Sequence, residues 1–233
     1  MKIKIFADGA DVNEMVAGYK NGSGISGFTT NPTLMRKAGI TNYEAFAKEV
    51  LSKITDLPIS LEVFSDELPE MEKQAQKISG WGKNVYVKIP VTNTKGVSTA
   101  PIIKNLSHAG IKLNVTAIFT ISQVGEILDV LSARTPSIIS IFGGRIANAG
   151  IDPMPIMREA VAMAKKFPLC EVLWASPREA FNVIQAEQCG CHIITVTSDV
   201  LTTMKTFGKS LEQFSLETVQ MFFKDAQSAG FTL

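Results

Sequence analysis

The chain has 233 residues, of which 45% are hydrophobic, and a formal net charge of +1. This length and composition suffice for one sizeable core. No basic tract dominates the sequence, so we expect neither nucleic acid nor a membrane surface as a main partner. No apolar run reaches the roughly 18 residues of a spanning helix, and Met1–Phe6 leads into Asp8 without the apolar stretch of a signal peptide.

Three cysteines, Cys170, Cys189 and Cys191, are too few to indicate a disulfide framework in a chain of this length. They fit a cytoplasmic protein, and the cytoplasm is the location that we predict. Charged residues make up 19% of the chain, below the average of about 25%. This low fraction indicates that other subunits cover part of the surface.

Short β-branched or aromatic segments alternate with segments of helical spacing along the whole chain. The segments predicted as strands are Ile3–Phe6, Ile25–Thr30, Ile59–Phe64, Asn84–Pro90, Leu113–Phe119, Ser137–Phe142, Glu171–Ala175 and His192–Thr197. Most are continuous apolar runs, which is the pattern of a parallel sheet covered on both faces. Between them apolar residues recur every three or four positions, as at Leu68, Met71, Ala75 and Ile78.

Eight such βα units favour an α/β fold of the (β/α)8 TIM barrel type, which typically has about 250 residues. A doubly wound open sheet is the structural alternative, because it shows the same alternation. Polar residues at one end of nearly every strand favour the barrel. We therefore predict a single barrel domain over residues 1–233, with a C-terminal helical extension over 212–233 whose helix has Ser215 as its N-cap.

Three short motifs match known binding patterns in their letters but not in their context. Gly22–Gly27 (GSGISG) precedes a predicted strand, whereas dinucleotide-binding glycines follow a strand and open a helix. Gly208–Ser210 (GKS) lacks the upstream glycine of a phosphate-binding loop. Cys189–His192 (CGCH) would need distant partners to bind zinc, and His108 is the only other histidine. We predict no metal site.

Lys88 lies near the end of the otherwise apolar strand Asn84–Pro90. Lysine is almost never fully buried without a reason, although its stem can pack while its ammonium group reaches water. Burial favours the neutral amine, which can attack a carbonyl carbon and form a Schiff base. Both interpretations stay open from this strand alone.

Polar side chains at the ends of the other strands favour a functional site. In a parallel barrel the C-terminal ends of all strands meet at one face, where catalytic residues lie. The residues predicted to meet there, besides Lys88, are Asp8, Thr29, Asn31, Glu62, Asn114, Thr116, Ser140, Arg145, Ser176 and Arg178. Two carboxylates, a lysine and two arginines at one face are difficult to explain as strand caps.

Four motifs resemble the transaldolase family, in particular its short members near the fructose-6-phosphate aldolases. They are Gly27–Thr33 (GFTTNPT), Val87–Pro90 (VKIP), Leu113–Thr116 (LNVT) and Ile141–Ile146 (IFGGRI). Their order and spacing extend over nearly the whole chain. The resemblance implies a class I aldolase barrel that forms a Schiff base and uses no metal or cofactor.

The resemblance also implies a role for each candidate residue. The implied catalytic residues are Lys88 as the Schiff-base lysine, Asp8 as the acid/base, and Glu62 with Thr116 as the pair that positions a catalytic water. The implied substrate-binding residues are Thr29, Asn31, Asn114, Ser140, Phe142, Arg145, Ser176 and Arg178. Of these, the two asparagines hold the dihydroxyacetone moiety. Arg145, Ser176 and Arg178 are implied to form a phosphate pocket, and the two guanidinium groups would suit a dianion.

Phe142 and Glu62 resemble transaldolase, where the simple aldolases carry tyrosine and glutamine. The implied activity is transfer of a dihydroxyacetone unit from a ketose phosphate to an aldose phosphate, in the pentose phosphate pathway. One alternative is an aldolase of the same barrel type that acts on fructose 6-phosphate or a related ketose. Another is a non-catalytic sugar-phosphate-binding barrel, which would not need a buried lysine between two carboxylates.

The predicted C-terminal helix carries Leu216, Val219, Phe222 and Phe223 within about two turns. After eight strands the barrel is closed, so this helix has to dock on the outside. The resemblance implies that such a helix reaches a neighbouring subunit, and we predict a homo-oligomer on this basis. The alternative is that the helix folds back on its own barrel.

Overall fold

Eight parallel strands close into a barrel in the computed structural model, which describes residues 1–20 and 24–232. The strands are β1 Lys4–Asp8, β2 Ile25–Thr29, β3 Ile59–Glu62, β4 Val85–Pro90, β5 Leu113–Ile118, β6 Ser137–Ile141, β7 Cys170–Trp174 and β8 Ile193–Val196. Each strand pairs with the next one in sequence, and β8 pairs with β1. The predicted (β/α)8 barrel is therefore confirmed, and the alternative of an open sheet is excluded.

Helices follow the strands throughout these described residues. They are α1 Val12–Lys20, α2 Pro32–Lys37, α3 Tyr43–Lys53, α4 Leu68–Ser79, α5 Ala100–His108, α6 Ile121–Val130, α7 Gly143–Asn148, α8 Pro153–Ala164, α9 Phe181–Gln188, α10 Ser198–Met204 and α11 Leu211–Ala229. The predicted apolar spacing after β3 corresponds to the buried face of α4, which includes Met71 and Ile78. Two short helices, α2 and α7, begin directly after β2 and β6 and border the C-terminal face of the barrel.

The chain divides into two compact units, Met1–Ser198 and Asp199–Leu233. The first unit contains all eight strands. In the second unit α11 begins after Ser210, whose Oγ accepts a hydrogen bond from the Gln213 backbone N–H, and it ends at Gly230 with a left-handed φ of 67°. The prediction that Ser215 caps this helix is therefore wrong, because Ser215 lies one turn inside it. The apolar side chains Leu216, Val219, Phe222 and Phe223 are exposed in the single chain.

An apolar layer fills the interior of the barrel. Phe6, Ile138, Leu173, Ala175 and Ile193 pack together, with Tyr86 and Phe142 against them. Because residues i and i+2 of a strand face the same side, the residues two positions after Phe6, Tyr86, Ile138 and Ile193 are also directed inward. They lie one layer closer to the C-terminal face.

This period of two explains where the polar residues lie. Asp8 follows Phe6 in this way, and Lys88, Ser140 and Thr195 follow Tyr86, Ile138 and Ile193. On β2 the inward residue below Thr29 is Gly27, and a Cβ there would lie 2.5 Å from the Phe6 ring. The ring of Phe6 thus takes the space of the missing side chain. A packed apolar layer supports a polar layer above it.

Three sequence motifs match binding patterns in their letters only: GSGISG, GKS and CGCH. The parts of them that the structure describes have ordinary structural roles. Gly22 lies outside the described residues, while Gly27 lies within β2 rather than between a strand and a helix. Lys209 pairs with Glu217, and Ser210 caps α11. Cys189 and Cys191 are buried free thiols, and His192 Nδ1 accepts the backbone N–H of Val172 at 3.0 Å.

Candidate active site

The C-terminal strand ends surround a cavity of about 440 Å³. It is lined by Asp8, Thr29, Asn31, Pro32, Thr33, Leu34, Glu62, Lys88, Asn114, Thr116, Ala117, Ser140, Phe142, Arg145, Ala175, Ser176 and Thr195. The lining includes every residue predicted for the site from the sequence except Arg178. Two lining residues that are not glycine, Ala117 and Ser176, have left-handed φ values of 59° and 58°, a strained conformation that is concentrated at functional sites in proteins.

Lys88 is buried and has two oxygen partners. Only 8% of the residue is exposed, and its Nζ donates to the backbone carbonyl of Thr30 at 3.1 Å. The same nitrogen lies 2.9 Å from Glu62 Oε2. The strand register causes this pairing, because Glu62 of β3 and Lys88 of β4 are direct cross-strand partners. The interpretation of a lysine that extends into water is therefore excluded.

Glu62 has one partner at its backbone and another at its side chain. Its backbone carbonyl accepts the hydroxyl of Tyr43, from α3, at 2.9 Å. Burial, followed by the nearby Glu62 charge, raises the pKa of Tyr43, so this hydroxyl stays protonated and remains a donor. Although Glu62 Oε2 is within ion-pair distance of Lys88, the approach does not have hydrogen-bond geometry.

Two buried oxygens of the cavity therefore lack a hydrogen-bond partner among the described residues. They are Glu62 Oε2 and Thr116 Oγ1. Buried polar atoms are almost always hydrogen-bonded to protein or to water. Both oxygens consequently have free capacity for a water or substrate atom in the cavity.

Asp8, at the end of β1, faces a positive and a negative group. Burial raises its pKa above the usual value of 3.8, while the Lys88 charge and a hydrogen bond from Thr29 lower it, and the Glu62 charge raises it. The Thr29 hydroxyl donates to Asp8 Oδ1 at 2.8 Å. A carboxyl group with a raised pKa next to a lysine can exchange a proton with a substrate hydroxyl.

The two asparagines are fixed in orientation by different partners. Asn114 Nδ2 donates to Ser60 Oγ at 3.0 Å, and its Oδ1 accepts the Ser140 hydroxyl at 2.7 Å. Asn31 Oδ1 accepts the Leu34 backbone N–H at 3.0 Å as the N-cap of α2. In both side chains an amide N–H remains available to the cavity. Ser60, like Tyr43 and Thr195, was not among the residues predicted from the sequence.

Arg145 contributes a cation to the lining of the cavity. The guanidinium carbon of Arg145, in α7, is 5.3 Å from the centre of the Phe142 ring, and this ring in turn packs on Phe119 with 5.7 Å between ring centres. Arg145 therefore rests on an aromatic surface, which favours a fixed position for its charge. Ser176 lines the same cavity.

Arg178 is the predicted site residue that the fold does not bring to the cavity. Its backbone N–H donates to Asn182 Oδ1 at 2.7 Å, and its Nε donates to Asn148 Oδ1 at 3.2 Å. These contacts hold the exposed Arg178 side chain along the end of α7. The predicted phosphate pocket thus has Arg145 and Ser176 in the lining but not the second guanidinium group.

Two further features are absent from residues 1–20 and 24–232. No group of three or more His, Cys, Asp or Glu side chains there is arranged to hold a metal ion. No helix in that part of the chain is long and apolar enough to cross a membrane.

A closed (β/α)8 barrel with its polar cavity at the C-terminal strand ends is the arrangement of barrel enzymes. The sequence profile of the family Transaldolase/Fructose-6-phosphate aldolase matches residues 5–233. The chain is 36% identical over 203 residues to a probable transaldolase of Dehalococcoides mccartyi, covering 87% of this chain and 90% of that protein. It is 37% identical over 204 residues to a probable transaldolase of Clostridium kluyveri, covering 87% and 89%. The chain therefore belongs to the transaldolase/fructose-6-phosphate aldolase family.

Solved structures of lower sequence identity share the fold alone. KGPDC from Streptococcus mutans superposes with a TM-score of 0.55 at 10% identity, covering 87% of this chain and 90% of that chain. A mandelate oxidase mutant superposes with a TM-score of 0.57 at 13% identity, covering 89% and 67%. These similarities support the barrel architecture and carry no argument about the chemistry.

Proposed function

We propose that this enzyme transfers a dihydroxyacetone unit from fructose 6-phosphate or sedoheptulose 7-phosphate to an aldose phosphate through a Schiff base on Lys88. The observation that carries the proposal is the position of Lys88. Its amine is buried in the cavity, 2.9 Å from Glu62 Oε2, and the charges of both Glu62 and Lys88 act on Asp8. A barrel that only bound sugar phosphates would have no use for this arrangement.

Imine formation requires a neutral amine and a path for protons. Glu62 is close enough to take a proton from Lys88 when the substrate ketone enters. The amine then attacks the ketone carbon, and the resulting carbinolamine loses water. The two unpartnered oxygens, Glu62 Oε2 and Thr116 Oγ1, are suited to hold that water and to pass protons to it.

Cleavage then depends on Asp8. Its carboxylate removes the proton of the C4 hydroxyl while the C3–C4 bond breaks, and the electron pair moves into the protonated imine. With fructose 6-phosphate the leaving aldehyde is glyceraldehyde 3-phosphate, and an enamine remains on Lys88. Addition of this enamine to erythrose 4-phosphate, with Asp8 returning the proton, gives sedoheptulose 7-phosphate after hydrolysis of the imine.

The remaining cavity residues bind the substrate in this proposal. Asn31 and Asn114 offer amide N–H groups to the hydroxyls of the dihydroxyacetone unit. Arg145 and Ser176 bind the phosphate at the other end of the sugar. Arg178 would join them only by leaving Asn148, so we assign it a secondary part in phosphate binding.

The proposed reaction belongs to the pentose phosphate pathway, and we propose that it takes place in the cytoplasm. The three cysteines are unpaired, which suits a reducing compartment. We also propose a homo-oligomer, formed through α11, because Phe222 and Phe223 are 62% and 64% exposed in the single chain. Phenylalanines bury about 150–250 Å² each, a large part of the roughly 800 Å² per partner that a stable interface needs.

Product analysis tests the proposal against the simple aldolase. We expect sedoheptulose 7-phosphate from fructose 6-phosphate and erythrose 4-phosphate, and little glyceraldehyde 3-phosphate when the acceptor is omitted. Rapid release without an acceptor would favour the aldolase, and substrate binding without turnover would favour the binding barrel. Phe142→Tyr provides a second comparison, since we expect it to increase release relative to transfer.

A further inference from the structure

Thr195 belongs to the cavity, although no step of the proposed reaction uses it. It lies on β8, only 6% of it is exposed, and it lines the cavity. Strand β1 lies between β8 and β2, so Thr195 and Thr29 approach Asp8 from its two neighbouring strands. The hydroxyl oxygens of Thr29 and Thr195 are 2.5 Å apart.

The direction of these hydrogen bonds follows from counting hydrogens. An ionised carboxylate only accepts, so the single hydroxyl hydrogen of Thr29 goes to Asp8 Oδ1. The hydrogen between the two threonines must then come from Thr195. When Asp8 carries a proton, the same chain can reverse: Asp8 donates to Thr29, and Thr29 donates to Thr195. Because β-branched side chains have few rotamers, both hydroxyls are held in place for either direction.

We propose that Thr195 is a positioning residue that, through Thr29, holds the Asp8 carboxyl group in both of its protonation states. This role rests on the proposed acid/base function of Asp8, which must lose and regain a proton in every transfer. The chain provides Asp8 Oδ1 with a hydrogen-bond partner in both states. It favours the ionised state, because hydrogen bonds to a charged acceptor are the stronger ones.

Other charged groups also influence the pKa of Asp8, and a test of Thr195 has to leave them unchanged. Lys88 from β4 stabilises the carboxylate, and Glu62 from β3 opposes it. Arg145 from α7 lines the same cavity. None of these groups is hydrogen-bonded to Thr195 in the described structure, so a substitution at Thr195 leaves their charges unchanged.

Thr195→Val removes the hydroxyl and keeps the shape, and Thr195→Ser keeps the hydroxyl. Ser60→Ala is the matched control, because it removes another buried hydroxyl that is bonded to Asn114 rather than to Asp8. Two readouts are needed: the pH dependence of kcat/KM for sugar cleavage, and the titration of the Asp8 carboxyl carbon by carbon-13 NMR, assigned with Asp8→Asn. The NMR titration does not depend on turnover.

For Thr195→Val we expect both the acid limb of the rate profile and the Asp8 titration to move to higher pH by about half a pH unit. In Thr195→Ser both the acid limb and the Asp8 titration should lie at their wild-type pH values. In Ser60→Ala neither should shift. If Asp8 titrates at the same pH in Thr195→Val as in the wild type, the proposal is overturned. Thr195→Ala repeats the test if valine prevents folding. If the wild-type enzyme fails to cleave sugars, the proposed function fails, while the NMR titration still decides the role of Thr195.

Discussion

The backbone carbonyl oxygen of Ser176 occupies the space that a side chain on Gly144 would need. A Cβ on residue 144 would lie 1.7 Å from that oxygen. This close approach joins the start of α7 to the loop after β7. It places Arg145, the next residue of α7, and Ser176 on the same side of the cavity. A glycine at position 144 is therefore required for the proposed phosphate pocket.

Gly144→Ala should consequently displace Ser176 and weaken the binding of phosphorylated sugars. We also expect a loss of about 1–3 kcal/mol in the free energy of unfolding, as is typical when atoms are forced into a packed region. Gly125→Ala in α6 is the matched control, because its Cβ would meet only Met163 Cε, at 3.4 Å. That substitution should stabilise the helix by about 0.5–1 kcal/mol. Urea unfolding and KM measurements check both variants. Equal changes in stability and in KM for the two variants would contradict the role assigned to Gly144.

The two arginines should differ in their effect on phosphate binding. Arg145→Ala should raise KM for phosphorylated sugars about 10- to 100-fold, because a hydrogen bond to a charged group contributes about 1.5–3 kcal/mol. The rate with the unphosphorylated donor dihydroxyacetone should change far less. Arg178→Ala should have a smaller effect, because its guanidinium contacts Asn148 instead of lining the cavity. A larger effect at Arg178 would show that this side chain moves into the site when substrate binds.

Asp8 should lower the stability of the protein at neutral pH. Its pKa in the folded state is raised above 3.8, mainly by burial, so the folded protein binds this proton more tightly than the unfolded chain. Its contribution to stability is therefore lost as pH rises from the unfolded pKa through the folded pKa. Asp8→Asn, which has no charge to bury, should be more stable than the wild type at pH 7.

Urea unfolding at several pH values measures this effect. The advantage of Asp8→Asn should shrink as the pH falls towards 3.8, and an advantage independent of pH would contradict the assigned cause. The same variant should lose cleavage activity by about 10²–10⁴-fold, the usual contribution of an acid/base group. It should still form a Schiff base with dihydroxyacetone.

The apolar surface of α11 predicts an oligomer, for which a ring-based assembly is our preferred form. Light scattering of the intact protein at micromolar concentration should give a multiple of the chain mass of 25.3 kDa. Truncation after Glu212, or Phe222→Glu, should cause dissociation or aggregation. A monomeric mass for the intact protein would rule out the proposed oligomer.

The sequence predicted the barrel and most of the cavity because both depend on local patterns. Continuous apolar runs mark buried parallel strands, and the strand-end positions of Asp8, Glu62 and Lys88 follow from the same runs. Thr195 shows what a stricter use of the strand period would have added. It follows Ile193 by two positions, as Lys88 follows Tyr86, and this spacing alone would have placed it in the site.

Other features depended on contacts that a sequence pattern does not contain. Tyr43 reaches Glu62 from a helix on the outside of the barrel, and Arg178 is held by Asn148, which is 30 residues earlier in the chain. The start of α11 was different, because a local signal was present and was missed. Ser210 and Gln213 have the spacing of a capping box, and this pair rather than Ser215 marks the first turn.

Borohydride reduction in the presence of dihydroxyacetone or fructose 6-phosphate tests most directly whether Lys88 forms the Schiff base. Mass spectrometry of the digested protein should locate a reduced three-carbon adduct on the peptide that contains Lys88. Lys88→Met, which keeps a linear apolar stem, should fold and show no adduct, with turnover lost. Lys112→Met is the matched control, since this lysine lies at the opposite end of the barrel next to the start of β5, and it should keep both adduct and activity. An adduct on another lysine, no adduct in the active wild-type enzyme, or more than about a tenth of wild-type activity in Lys88→Met would contradict the account.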